Sequence, residues 1–264
     1  MRNTIAIAGK ETRIYLTTWT SYILAGAFLM VTAFFFYESV RQFLVMSQQY
    51  SMQQAEGMLE QMNLTDWVMA GVFHSVAFFF LFLLPILTMR LVAEERKTKT
   101  LELLLTAPVR PLEIVLGKYL GALLIMVLML AVTVVFPLLL HIYGASGGDA
   151  APVDWNTVGA GYFGLFLLGA AFVAVGLFAS AVTESQIIAV VVGWAILLMF
   201  YVIGVTAQGQ EGPTRELLEH LGLLNHLETF IQGIVSLKSV VYYLSLAFVG
   251  LFLTYRVIEA QRWR

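Results

Sequence analysis

Trp67-Val68-Met69-Ala70-Gly71-Val72-Phe73-His74-Ser75-Val76-Ala77-Phe78-Phe79-Phe80-Leu81-Phe82-Leu83-Leu84-Pro85-Ile86-Leu87-Thr88-Met89 contains no Asp, Glu, Lys or Arg. A hydrocarbon core of ~30 Å needs about 20 apolar residues as a helix, and this stretch supplies them. Five more stretches qualify or nearly qualify, at 19–37, 114–142, 158–182, 187–206 and 240–257. In lipid each backbone N–H and C=O must be satisfied within its own segment unless a barrel closes. None of the six alternates as a barrel strand does. The expected fold is an all-α membrane protein with six transmembrane helices, one transmembrane domain over 1–264.

The composition agrees with lipid as solvent. Of 264 residues, 59% are hydrophobic and 12% charged, where a soluble domain is about half apolar and about a quarter charged. In water so many apolar side chains would leave large exposed patches. A formal net charge of −2, with no long run of one sign, gives no footprint for nucleic acid. Cysteine is absent, which removes disulfides, thiolate metal sites and a cysteine nucleophile. Arg2, Lys10, Glu11 and Arg13 precede the first apolar run, so that run reads as a retained span and not as a secretory leader.

Basic residues orient the spans. With the N-terminus inside, the outer segments hold only Arg41, Arg215 and Lys238 of the 15 Lys and Arg. The positive-inside rule then places both ends in the cytoplasm. Trp19 and Trp263 fall at the inner boundary, and Tyr37, Trp67, Tyr143 and Trp155 at the outer one. The stretch 5–16 brings Ile5, Ala8, Thr12 and Tyr15 near one face, with Lys10 and Arg13 off it. An N-terminal interfacial helix lying along the membrane is expected there.

The inner segment 94–118 reads Glu94-Glu95-Arg96-Lys97-Thr98-Lys99-Thr100-Leu101-Glu102-Leu103-Leu104-Leu105-Thr106-Ala107-Pro108-Val109-Arg110-Pro111-Leu112-Glu113-Ile114-Val115-Leu116-Gly117-Lys118. Glu95 and Lys99 form a Glu-before-Lys pair at i,i+4. Leu101, Leu104 and Leu105 share one helical face, Glu102 and Thr106 another. Pro108 and Pro111 stop the helix and restart it at the third span. A short amphipathic helix facing the cytoplasm between two spans is expected. Physics alone fits an ordinary loop with a stub of interfacial helix as well as it fits a docking element.

This stretch resembles the ABC-2 family of ATP-binding-cassette exporter permeases. The matching elements are Glu94-Glu95-Arg96, Thr100 through Val109, and Glu113 through Lys118. The departure is Lys99, where many members have Gly, and it is expected to stiffen the approach to the helix. Thr183-Glu184-Ser185-Gln186 and the stretch from His226 through Gly233 match further family segments, and the combination is most similar to the gliding-motility-associated branch. The resemblance implies a permease subunit of an ATP-driven exporter in the bacterial inner membrane, working by alternating access. It implies that a separate cytoplasmic ATPase grips a coupling helix, with Glu94, Glu95, Thr100, Leu101, Glu102, Leu104, Leu105, Pro108 and Glu184 as the coupling residues. ATP and Mg would then sit on that partner and no cofactor on this chain. A second permease copy or a paralogue would complete a dimer in membrane lipid, with room for an extracytoplasmic accessory protein. No phosphate loop is present, because Gly117-Lys118 is followed by Tyr119 and Gly9-Lys10 by Glu11, so the chain is not expected to be an enzyme.

Other residues carry weaker signals. His74, about two turns into its span, is expected to be a neutral histidine bonded to a neighbouring helix. The polar, Gln/Met-rich stretch 38–66 is expected to be an outer loop; its Met46, Met52, Met58 and Met62 could attract Cu(I), but they lack a His or Cys partner, and no metal site is expected. Gly117-x-x-x-Gly121, Gly176-x-x-x-Ser180 and Gly159, Gly161, Gly164 and Gly169 permit close helix packing, with a dimer seam as the alternative. Pro85 and Pro137 should kink their helices. The outer segment 207–239 reads as two short amphipathic helices, either a re-entrant pair or a surface hairpin. Two other function classes stay open. A secondary transporter or channel would bury several ionisable groups at mid-membrane, where only His74 stands. A membrane assembly factor would show no ATP-linked activity.

Overall fold

The computed structural model describes residues 2–52, 64–106, 108–144, 153–207, 218 and 220–262, with side chains except at Leu64, Leu103, Leu105 and Arg262. Its elements are α1 (Arg2–Thr17), α2 (Trp19–Met52), α3 (Leu64–Thr88), α4 (Arg90–Lys97), α5 (Thr100–Thr106), α6 (Pro111–Thr133), α7 (Val135–Gly144), α8 (Trp155–Val182), α9 (Gln186–Ala207), α10 (Leu223–Ile231) and α11 (Leu237–Arg262). Six runs are long and apolar enough to cross a membrane: Trp19–Met52, Thr65–Lys97, Pro111–Gly144, Trp155–Val182, Gln186–Thr206 and Leu237–Gln261. The protein is an all-α multi-pass membrane protein with its spans at the six expected places. We call the end of the bundle that carries α1, α4 and α5 the inner end.

The core gathers around α8. In its apolar window 83% of residues are buried, against 11% in α2, so α8 is the axis and α2 lies at the rim. Small residues make this packing possible. Gly161 faces the Phe73 ring, Gly164 the Phe230 side chain, Gly169 the Met126 sulfur, and Gly176 the Thr88 hydroxyl, each too close to admit a Cβ. These four glycines permit close packing as expected, whereas Gly159 faces open space.

Gly117 and Gly121 hold no seam between copies within this fold; they seat α1. Ile7 and the Thr4 carbonyl pack on Gly117, and the Glu11 side chain and Ala8 carbonyl on Gly121. An N-terminal helix is present at the expected place, and of its expected face Ala8 packs at Gly121 and Tyr15 is buried, with Ile5 alone departing. Glu11 and Tyr15 are buried, while Ile5 is 70% exposed. The glycine notch and a buried cation on α6 select this face.

One other expectation is corrected. The stretch 38–52 is not loop, because α2 continues through it to Met52. It contains neither Gly nor Pro, and polar composition alone does not end a helix. The third span breaks at Val134, between α6 and α7. Pro137 supplies no N–H to the Thr133 carbonyl one turn before it. Pro85 stays inside α3, and the break there comes at Met89. Met58 and Met62 lie outside the described residues, as do 145–152 and 208–217.

Helix α10 lies deep between the spans. Phe230 fills the notch at Gly164, about 13 Å along α8 from Trp155. Tyr243 donates to the Leu223 carbonyl and Tyr242 to the Leu221 carbonyl, both at 2.7 Å. A Schellman turn closes the helix: Ile234 N–H donates to the Thr229 carbonyl and Gly233, at φ +80°, to the Phe230 carbonyl. Helix α10 is thus packed among the spans. Most of the first helix expected in the pair falls outside the described residues.

Candidate coupling surface and outer polar pair

At the inner end the second span turns through Met89 into α4. Ser180 of α8 staples that turn. Its hydroxyl donates to the Met89 carbonyl at 2.7 Å and accepts from the Val92 and Ala93 amides at 3.1 and 3.0 Å. One side chain thereby satisfies groups that a broken helix leaves open. Arg96 reaches the other way, donating to the Ala181 carbonyl at 2.6 Å and to Glu184 at 3.4 Å. The two inner connections, 90–113 and 183–186, thus meet at one place.

A buried ionic node ties this region to α1 and α6. Lys118 Nζ lies 2.8 Å from Glu11 Oε1 and 2.8 Å from Glu95 Oε2, with 1% of the lysine side chain exposed. The Glu95 contact is close enough for charge pairing, though not aligned as a hydrogen bond. Lys10 closes the chain by donating to Glu95 Oε1 at 3.0 Å. The expected Glu95–Lys99 pair is overturned: Glu95 turns inward, and α4 ends at Lys97 before Lys99 can join the helix. Tyr15 of α1 also donates to the Leu87 carbonyl beside the node.

Lys99 is the one described non-glycine residue with positive φ, at 59°. Its N–H donates to the Arg96 carbonyl, the bond that a helix-ending left-handed residue makes. The position suits glycine because a Cβ there crowds the following carbonyl. The lysine turns the chain at the approach to α5. Its side chain is exposed, so little contact is lost on removal. Lys99→Gly is expected to stabilise the chain by up to about 1 kcal/mol, read as a raised melting temperature in detergent. An unchanged or lowered value would show that this strain is absent.

Helix α5 presents the amphipathic face foreseen for it. Leu101 is 3% exposed and Leu104 half-buried, while Glu102 and Thr106 face out. Glu94, Thr100, Pro108 and Glu184 are exposed as well, whereas Glu95 is turned inward. The side chain of Leu105 lies outside the described residues. Both Gly-Lys pairs sit inside helices, Gly9-Lys10 in α1 and Gly117-Lys118 in α6. Their amides belong to helical ladders and are not free to cradle phosphate.

The outer half carries a second polar feature. His74 Nε2 lies 2.9 Å from Glu228 Oε2 of α10, and its Nδ1 lies 2.8 Å from the Ala70 carbonyl. His74 is bonded to a neighbouring helix as expected, but to a carboxylate that no pattern in its own span announced. The side chains are 44% and 48% exposed on the surface of the chain. Aromatic rings continue the face inward: Phe78 packs on Phe82 and Tyr201, and Phe82 on Trp194. Nearby, His226 is buried and stacks on Tyr242 at 4.1 Å. Burial lowers its pKa, and the neighbouring Lys238 pushes the same way, so the neutral ring is favoured.

A short helix, α5, lies between two spans at the inner end, and α10 is packed among the spans near the other end. The profile of the ABC-2 family transporter proteins matches residues 5–256. The chain belongs to that family. No curated protein matches it. The ABC-2 assignment makes the chain a membrane permease component of an ATP-binding-cassette transporter, and in general implies an ATP-binding-cassette subunit as partner. Sequence reasoning placed Lys118 and Glu228 in family-matching stretches but missed the partners they meet. Nothing local announces those pairings, since Lys118 and Glu11 stand 107 positions apart and His74 and Glu228 154 apart.

Proposed function

We propose that this ABC-2 permease is the membrane half of an exporter in the bacterial inner membrane, with both termini cytoplasmic, driven by a cytoplasmic ATPase that grips α5. The observation that carries this reading is the geometry of α5. Leu101 anchors it to the bundle, and Glu102 is presented outward at the end where both inner connections meet. ATP and Mg belong on the partner. Two permease copies, each with an ATPase, form the working unit. Closure of the ATPases pushes α5, and the node of Lys118, Glu11 and Glu95 passes the push to α1 and α6. The spans then rock between inward- and outward-open states. The likeness of the motifs to the gliding-motility branch supports export as the direction.

The water-filled path runs along the outward face of α3 that carries His74 and Phe78. Ionisable residues inside spans face a bundle interior or an aqueous cavity, since lipid does not tolerate them.

The test is Glu102→Lys, with Leu104→Asp as a second variant. A reversed charge in a desolvated contact costs about 2–5 kcal/mol. The ATPase that co-purifies with the tagged wild-type chain is therefore expected to be lost from both variants, along with ATP turnover of the complex in lipid. Wild-type association and turnover in both would remove α5 from the coupling role.

A further inference from the structure

A cavity of about 620 Å³ lies between the first turns of α6 and the last turns of α11, at the inner end. Its walls are Leu112, Leu116, Phe248 and Phe252, and Arg110 and Glu259 stand at its rim. We propose that it binds one acyl chain of a glycerophospholipid from the inner-end leaflet, with the lipid phosphate on Arg110.

Three observations lead there. The first is size, since the volume falls in the ~300–1,000 Å³ range of small-molecule sites. The second is depth. From Glu259 to Phe248 the wall descends about 16 Å along α11, roughly one leaflet of a ~30 Å core. Phe248 is 69% exposed and Phe252 51%, surfaces that hydrocarbon covers well and water poorly. The third is charge. The Glu259 carboxylate is already held by the Tyr255 hydroxyl at 2.9 Å and by Arg256 at 3.2 Å. The exposed Arg110 guanidinium has no ion-pair partner among the described residues. The free charge at the rim is therefore positive, and a guanidinium matches phosphate in a bidentate fork. Basic groups at this level also attract lipid phosphate generally. This inference stands apart from the ATPase partner and from the direction of transport.

Native mass spectrometry of the purified full chain after a delipidating wash tests it. The wild type is expected to retain one phospholipid per chain, and Arg110→Gln to retain it about fivefold less. In a second measurement, Phe252→Trp is reconstituted with brominated-chain phosphatidylglycerol. Its fluorescence is expected to be quenched more strongly than by brominated-chain diacylglycerol, which has no phosphate. Equal retention in wild type and Arg110→Gln, or equal quenching by both lipids, would overturn the proposal.

Discussion

Replacing Lys118 by Met is expected to destabilise the protein by about 3–5 kcal/mol, the cost of leaving buried charge without its partner. Lys118 is 1% exposed and lies between Glu11 and Glu95, with 8% and 16% of their side chains exposed. With the ammonium gone, Glu11 faces Gly121 and the α6 backbone uncompensated, and Glu95 keeps only Lys10. An exposed pair of the same residue types would contribute about 0–1 kcal/mol, so the size of the loss separates a buried node from a surface one. The loss should appear as a fall in melting temperature in detergent. Pairing Lys118→Met with Glu11→Leu should recover part of it, because the double variant removes a charge along with its partner. A melting temperature within a degree or two of wild type for Lys118→Met alone would dismiss the node as a structural tie.

The parts of the molecule that were legible in the sequence are those set by solvent. Lipid requires long apolar helices, so the six spans could be read from composition and length. The two faces of α5 could be read because Leu101 and Glu102 obey helical spacing within seven residues. What failed was whatever depends on partners distant in sequence. Ile5 looked like an anchor for α1, yet the notch at Gly117 and Gly121 and the charge on Lys118 turned Glu11 inward instead. Glu95 had a plausible local partner in Lys99, but α4 ended two residues too early and a stronger ion waited on α6. The ending comes where Lys99 takes a positive φ, a conformation that suits glycine. Polar composition over 38–52 suggested a loop because polarity is a correlate of loops, whereas Gly and Pro are their cause.

Removing the pair at the outer end is expected to stop the transport cycle while sparing the fold. His74→Leu alone leaves the Glu228 carboxylate without its partner and should both destabilise the chain and lower ATP turnover of the complex in lipid. The double variant His74→Leu/Glu228→Leu removes both polar groups, so stability should return. If the pair lines an aqueous path, turnover should stay low in the double variant, because the path has lost its polar lining. If the pair only fastens α10 to α3, stability and turnover should recover together. Water access gives an independent reading, and a chain without cysteine permits it directly. Phe78 stands one turn deeper than His74 and is 42% exposed, whereas Leu244 of α11 is 54% exposed on another face. A membrane-impermeant thiol reagent added to the outer side is expected to label Phe78→Cys, where a thiolate can form in water. It should leave Leu244→Cys, bathed in hydrocarbon, unmodified. An unlabelled Phe78→Cys, together with full turnover in the double variant, would place this face against lipid or a dry partner and move the path elsewhere.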